Sequence, residues 1–149
     1  MSITTDHIEA VRAFFLDPDE HARRTDQLAQ TNDLDGYWAM VAATLVALAG
    51  RRFIGVRRSS DAVRWVAAAR ARLLRTGQLH IRLHADSAEA LLRIALGELE
   101  SYDRLREVPG DVRGETQFLL LGLLYDDLGY PDLDDLLDEA HAAAVSRWH

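Results

Sequence analysis

The sequence predicts an all-α fold that forms a single domain over residues 1–149. The first observation behind this prediction is the stretch 37–49, which is apolar except for Thr44 and, as a helix, must be covered on most sides. The second is that apolar residues recur at helical spacing along most other segments. The third is that capping residues, glycines and prolines separate these segments, as between helices joined by short turns. We therefore expect a bundle or array of six to seven helices around two apolar central helices, at about 34–53 and 112–128.

Two short helices precede the first central helix. Asp6 and Glu9 have the spacing of a capping box, and apolar residues follow at helical intervals, which predicts a helix over about 5–16. An aspartate then precedes Pro18, and proline is favoured at the first helical position after such a cap. This predicts a second helix over about 18–30, and its mostly polar composition places it on the surface.

The middle of the chain predicts the first central helix and an arginine-rich helix after it. The central helix spans about 34–53, and Gly55 follows it as a residue that permits a left-handed exit. A serine cap predicts the next helix over about 60–75, with an apolar face and an arginine face. Arg70 lies within the apolar arc. Because an unpaired buried guanidinium is costly, we expect Arg70 to extend its charge to solvent.

The last third of the chain predicts the remaining helices. Residues 79–84 alternate apolar and polar, which is a strand pattern, but they are few and we expect an extended connection. A capping box at Asp86 opens a helix that would break at Gly97. The second central helix follows at 112–128, and a final helix is predicted over about 132–147.

Composition excludes several classes of function. The chain has no cysteine, which excludes disulfides, thiolate catalysis and cysteine-ligated zinc and fits a reducing compartment. Its first residues lack the basic and apolar regions of a signal peptide, and its longest apolar run is shorter than the ~20 residues that span a bilayer. We expect a cytoplasmic protein with no membrane association.

No motif in the sequence predicts a metal, a cofactor or a catalytic residue. The loop 31–36 resembles part of a calcium-binding EF-hand loop, but it lacks carboxylates at the first and last ligand positions, which indicates a capping turn. His80 and His84 share a face on either a helix or a strand without a third ligand, and Asp138 with His141 forms half of one di-iron motif. We expect no enzyme, although a catalytic site assembled only in space leaves no linear pattern.

Positive charge is concentrated in the middle third of the chain. Residues 51–82 contain nine arginines and one acid, a net charge of +8, whereas the rest of the chain carries −15. The chain has no lysine, so every fixed side-chain cation is a guanidinium, the group that binds carboxylate or phosphate through paired hydrogen bonds. We predict a partner-binding arginine face composed of Arg51, Arg52, Arg57, Arg58, Arg64, Arg72 and Arg75.

Three interpretations of this arginine face are open. In the first, the arginines pair with the chain's own acids, at about 126–139 or 17–35, and have no further role. In the second, the face binds an acidic protein partner or a second copy of the chain, whose acidic helix supplies the opposite charge. In the third, the face binds nucleic acid.

The nucleic-acid interpretation rests on a short pattern. Residues 55–66, GVRRSSDAVRWV, resemble the turn and recognition helix of helix-turn-helix proteins. The distance from Gly55 to the apolar valine of the helix is two residues longer than in that family, and Arg51 stands where the family has a small residue. The resemblance implies a DNA-binding regulator with a degenerate motif at about 45–75. The residues that would contact phosphate at the start of the helix are Ser59 and Ser60.

We therefore predict a non-enzymatic interaction or regulatory protein that binds an acidic macromolecule, or associates with itself, through the arginine face at 51–75. The alternative is the DNA-binding regulator. A third hypothesis is a helical enzyme or small-ligand carrier, which would need an interior cavity lined by the helices at 37–49 and 118–125.

Overall fold

The structure is a computed structural model that describes residues 2–77 and 82–148, without the side chains of 147 and 148. Throughout these residues the regular structure is helical and includes no strand, which confirms the all-α prediction. The helices in chain order are α1 Thr5–Leu16, α2 Pro18–Gln30, α3 Asp35–Arg52, α4 Arg58–Arg75, α5 Ala85–Ala95, α6 Tyr102–Arg106, α7 Gly110–Asp127 and α8 Leu133–Trp148. A 3-10 helix, Leu99–Ser101, comes directly before α6. The arrangement of six or seven helices around two central ones stays a prediction.

Contacts between residues divide the chain into two compact units. The first unit comprises Met1–Ala47 with Tyr130–His149, and the second comprises Leu48–Gly129. The boundary falls within α3. The single domain over 1–149 stays a prediction. In the part of the chain that the structure describes, no helix is both long and apolar enough to cross a bilayer.

In the first unit, α1 packs against α2 and α8. Of the side chains on α2, only Leu28 is buried, which agrees with the surface position expected from its polar composition. The largest fully buried side chains of this unit come from α1, from the first part of α3 and from α8, and they include Val11, Met40, Leu136 and Leu137.

A buried histidine connects three segments of the first unit. The side chain of His7 has no exposed surface, and its Nδ1 accepts a hydrogen bond of 2.9 Å from the backbone N–H of Thr4. The proton therefore resides on Nε2, which donates to the backbone oxygen of Asp33 at 2.9 Å. The ring also occupies the space beside Gly36, where a Cβ atom would lie 2.2 Å from Cε1 of His7. The start of α1, the α2–α3 connection and the start of α3 thus meet at one imidazole.

A second polar pair joins α2 to α3 in the same unit. The Nε2 atom of His21 lies 2.6 Å from the hydroxyl of Tyr37, and the His21 ring contacts the edge of Phe14 with ring centroids 5.5 Å apart. The Tyr37 side chain is almost completely buried. Burial lowers the pKa of His21 and raises the pKa of Tyr37, because the charged form of each group loses its hydration.

In the second unit, α5 packs against α4, α6 and α7. The buried side of α4 is a single row formed by Ala62, Val66, Ala69 and Leu73, narrower than the apolar arc expected from the sequence. Leu74, expected within that arc, is 64% exposed. Arg70 is exposed, in agreement with the expectation that it extends to solvent.

Two helices are capped by other residues than the predicted capping boxes, which began at Asp6 and Asp86. Helix α1 begins at Thr5, so Thr4 is its N-cap, and Asp6 already lies in the first turn. Helix α5 begins directly after His84, whose side chain accepts a hydrogen bond of 3.1 Å from the backbone N–H of Ser87. A cap precedes the first helical residue, usually in extended conformation, and Thr4 and His84 both do so. An acid inside the first turn instead interacts favourably with the positive end of the helix dipole.

The other helices begin and end within a few residues of the predicted positions. The chain turns at Gly97, with a φ of +97°, so the predicted helix from Asp86 is divided into α5, the 3-10 helix and α6. Helix α4 begins two residues earlier than expected, with Arg57 rather than a serine as N-cap. The predicted extended connection at 79–84 lies partly outside the described residues, and residues 82–84 have no regular structure.

Candidate protein-binding surface on helix α4

All seven arginines of the predicted face lie at the end of α3 or along α4. Arg51 and Arg52 occupy the last turn of α3, Arg57 is the N-cap of α4, and the others belong to α4. The structure therefore brings the predicted residues onto two consecutive helices and the connection between them. Their side chains differ in exposure and in their partners, so they do not form one uniform surface.

Arg52 is bound by the second unit itself. Its Nε donates to Oδ2 of Asp127, the last residue of α7, and the same carboxylate oxygen accepts a hydrogen bond of 3.1 Å from the indole N–H of Trp65. The hydrogen bond from Arg52 is the main cause that lowers the pKa of Asp127. Arg72 lies 4.0 Å from the neighbouring Asp126. These two arginines follow the first interpretation, in which the chain's own acids neutralise them.

Two further arginines have partners within the chain. Arg58 donates from Nη2 to the backbone oxygen of Leu96 at 2.8 Å, which connects the start of α4 to the end of α5. Arg64 bonds to Asp61 one turn earlier on α4, yet its side chain is 67% exposed. An exposed pair of this kind contributes about 1 kcal/mol at most, so Arg64 is available to a second carboxylate at little cost.

Arg64 and two further exposed arginines form a row that we name the arginine stripe: Arg57, Arg64 and Arg75. The guanidiniums of Arg57 and Arg75 are exposed and have no carboxylate within 4.0 Å among the described residues. Steps of seven and eleven residues return to nearly the same side of a helix, so the three side chains share one face of α4 over about 27 Å. The exposed alanines Ala68 and Ala71 lie on this face between Arg64 and Arg75.

Two apolar side chains project from the connection just before the stripe. Ile54 is 77% exposed and Val56 is 104% exposed, although the preceding Phe53 is buried. Gly55 between them has a φ of +94°, so the chain changes direction there after the end of α3. No sequence pattern predicted a role for Ile54 or Val56. Their position beside a glycine after a helix end was the only signal available.

Ser59 and Ser60, the predicted phosphate contacts, lie in surroundings that disfavour a phosphate group. The hydroxyl of Ser59 donates to Oε1 of Glu98 at 2.7 Å, so a carboxylate lies beside the first turn of α4. Ser60 is exposed in the same turn. A negative charge at this position repels a phosphate group and itself benefits from the helix dipole. The connection between α3 and α4, residues 53–57, is also longer than a helix-turn-helix turn.

The residues considered for metal binding are not brought together. In residues 2–77 and 82–148, no group of three or more histidines and acids is placed to hold a metal ion. His84 uses Nδ1 to cap α5, and His80 lies outside the described residues. Asn32 in the 31–36 loop has a φ of +55°, as in a turn that leads into a helix.

No protein-family model, curated protein or solved structure matches this chain.

Proposed function

We propose that this chain is a non-enzymatic interaction protein that binds an acidic segment of a protein partner through the arginine stripe together with Ile54 and Val56. The observation that supports this function best is the exposure of Arg57 and Arg75 without a carboxylate within 4.0 Å among the described residues. Guanidiniums on one face of α4 fit carboxylates spaced along a helix or an extended segment. The proposed surface is narrower than the face of seven arginines that the sequence suggested.

Charge and apolar contact have different roles in this proposal. Each exposed ion pair contributes about 1 kcal/mol or less, so the stripe sets orientation and association rate more than affinity. Burying an exposed aliphatic side chain contributes about 1.5–3 kcal/mol. Ile54 and Val56 would therefore provide most of the affinity, and Arg57, Arg64 and Arg75 most of the selectivity for acidic partners.

A separate protein fits the stripe better than a second copy of the chain does. Two stripes placed against each other would oppose like charges. The acidic side chains of α8, such as Asp135 and Asp138, are exposed and would supply the opposite charge if α8 of one copy met α4 of another. Sedimentation of the purified chain at increasing concentration distinguishes such self-association, which raises the sedimentation coefficient, from binding to a separate protein.

Nucleic acid is the weaker alternative on the same residues. Glu98 lies against Ser59, at the place where a phosphate would approach the start of α4. The chain outside 51–82 carries −15, which repels a polyanion of any sequence. A DNA-binding regulator would have to use the stripe alone, without the helix N-terminus.

Fluorescence anisotropy tests the proposal with two labelled probes, an acidic amphipathic helical peptide and a random DNA duplex. We expect the peptide to bind in about 50 mM salt and to bind much more weakly in about 300 mM salt, because exposed charges are screened. Arg57→Glu with Arg75→Glu should weaken peptide binding at least about tenfold, because the reversals replace attraction by repulsion. Ile54→Ser with Val56→Ser should weaken it to a similar extent.

Arg106→Glu is the matched control. Arg106 is 76% exposed on α6 and pairs with Asp103 as Arg64 pairs with Asp61, but it lies outside the stripe. Peptide binding that is absent at low salt, or that Arg106→Glu reduces as much as the stripe reversals do, would exclude the proposed surface. Tight salt-dependent binding of the duplex instead of the peptide would favour the DNA-binding alternative.

A further inference from the structure

The second unit contains an open cleft of about 840 Å³ that the proposed function does not use. Its walls come from the last part of α4, from the residues that lead into α5 and from α7. Small-molecule sites in proteins have volumes of about 300–1,000 Å³, so the cleft is large enough for a ligand of that class. It differs from the cavity considered in the sequence analysis, which would have been lined by the helices at 37–49 and 118–125.

Part of the cleft's surface is apolar. Leu74 of α4 lines it and is 64% exposed, and Val112 lines it from α7 and is half-buried. Leu73 and Leu83 also line it but are 7% and 4% exposed, so they offer little accessible area. A ligand that rests on Leu74 and Val112 would therefore present an apolar body to the cleft.

Two arginines supply positive charge to the same cleft. Arg70 on α4 and Arg82 before α5 both line it, both are exposed, and neither has a carboxylate within 4.0 Å among the described residues. The other charged residues of the lining are Asp86 and Glu115. Asp86 lies 3.4 Å from Arg104, which reduces its negative field in the cleft. Glu115 is exposed and lies more than 4.0 Å from the guanidiniums of Arg70 and Arg82, so the donors of both arginines stay available to a ligand anion.

We propose that this cleft binds a small molecule with an apolar body and one anionic end. Arg70 and Arg82 hold the anion, a carboxylate or a phosphate ester, through charge-assisted hydrogen bonds. Leu74 and Val112 contact the apolar body. The observation behind this assignment is the presence of two guanidiniums, unpaired among the described residues, at a partly apolar cleft of ligand size.

Isothermal titration calorimetry with four probes of equal chain length tests the proposal: decanoate, decyl phosphate, decanol and decyltrimethylammonium. We expect decanoate or decyl phosphate to bind, and decanol and the ammonium probe to bind at least about tenfold more weakly, since they lack the group that the guanidiniums hold. Whichever anionic probe binds more tightly identifies the head group. Equal affinity for decanol would exclude an anion site, and failure of both anionic probes to bind would overturn the proposal.

Two variants locate the binding. Arg70→Gln with Arg82→Gln should weaken the anionic probe about tenfold or more while leaving the urea unfolding midpoint unchanged, because both side chains are exposed. Arg75→Gln is the matched control, since Arg75 is exposed on the same helix but does not line the cleft. An equal loss in Arg75→Gln would show non-specific charge attraction and would overturn the assignment. The stripe reversals described above leave Arg70 and Arg82 intact, so the two proposals can fail independently.

Discussion

Replacing Gly36 by alanine tests the buried histidine of the first unit. A Cβ atom at this position would lie 2.2 Å from Cε1 and 2.3 Å from Nδ1 of His7, well inside van der Waals contact. The ring cannot move aside freely, because Thr4 and Asp33 hold its two nitrogens at 2.9 Å each and the side chain is completely buried. We therefore expect Gly36→Ala to force the imidazole out of its site.

The size of this effect follows from three terms. Loss of the two hydrogen bonds of His7 costs about 1 kcal/mol each, and overpacking costs about 1–3 kcal/mol. Replacing glycine by alanine in a helix returns up to about 1 kcal/mol. The free energy of unfolding should therefore fall by about 2–5 kcal/mol in Gly36→Ala.

Urea unfolding followed by far-ultraviolet circular dichroism measures this difference, provided that the slopes of the transitions are comparable. Gly50→Ala is the matched control on the same helix, because a Cβ atom there has no neighbour within 4 Å. It should leave stability unchanged or raise it by up to about 1 kcal/mol. In a His7→Ala background, Gly36→Ala should no longer be destabilising, because the ring that it displaces is gone. Wild-type stability in Gly36→Ala, or an equal loss with and without His7, would refute the packing described here.

Asp127→Asn should lower the free energy of unfolding by about 1–2 kcal/mol, because it removes the charged acceptor shared by Arg52 and Trp65; an unchanged urea midpoint would contradict that pairing. Burial holds the pKa of His21 below its ordinary 6.5, so the unfolded chain takes up the proton first as pH falls. Stability should decline as pH falls from about 6.5 to the folded pKa, and the slope should be smaller in His21→Gln. Equal slopes for the two proteins in pH-dependent urea titrations would argue against this lowered pKa. Burial raises the pKa of Tyr37 above its ordinary 10.0, so the unfolded chain ionises first and stability should decline above that pH. Thermal melts of Tyr37→Phe should lack this alkaline decline, and an identical decline would assign it to other groups.

In the folded protein, part of the positive charge at 51–82 is paired with acids of the same chain. At the end of α7, Asp126 pairs with Arg72 of α4 and Asp127 pairs with Arg52 of α3. Part of the positive segment therefore connects α3, α4 and α7 within the second unit. Five other exposed arginines of this segment form two separate sets. The stripe of Arg57, Arg64 and Arg75 supports the proposed partner surface, and Arg70 belongs to the cleft with Arg82.

Sequence reasoning predicted the helices well because their ends depend on neighbouring residues. Pro18 after an N-cap aspartate and the left-handed Gly97 act within one or two turns, so α2 and the division after α5 follow from local chemistry. The identity of a cap was less predictable. Thr4 and His84 compete with nearby acids for that role, and the choice depends on where the extended chain enters the helix.

The sequence by itself determined the helical class, most helix boundaries and the concentration of arginine in the middle of the chain, because these properties depend on residues within a few positions of one another. Only the tertiary structure decided which arginines stay available. Asp127 is 75 residues from Arg52 and 62 from Trp65, and no local pattern predicts a hydrogen bond across such a separation. The same holds for the cleft, since Arg70, Arg82 and Val112 line one space only after three separate segments have packed.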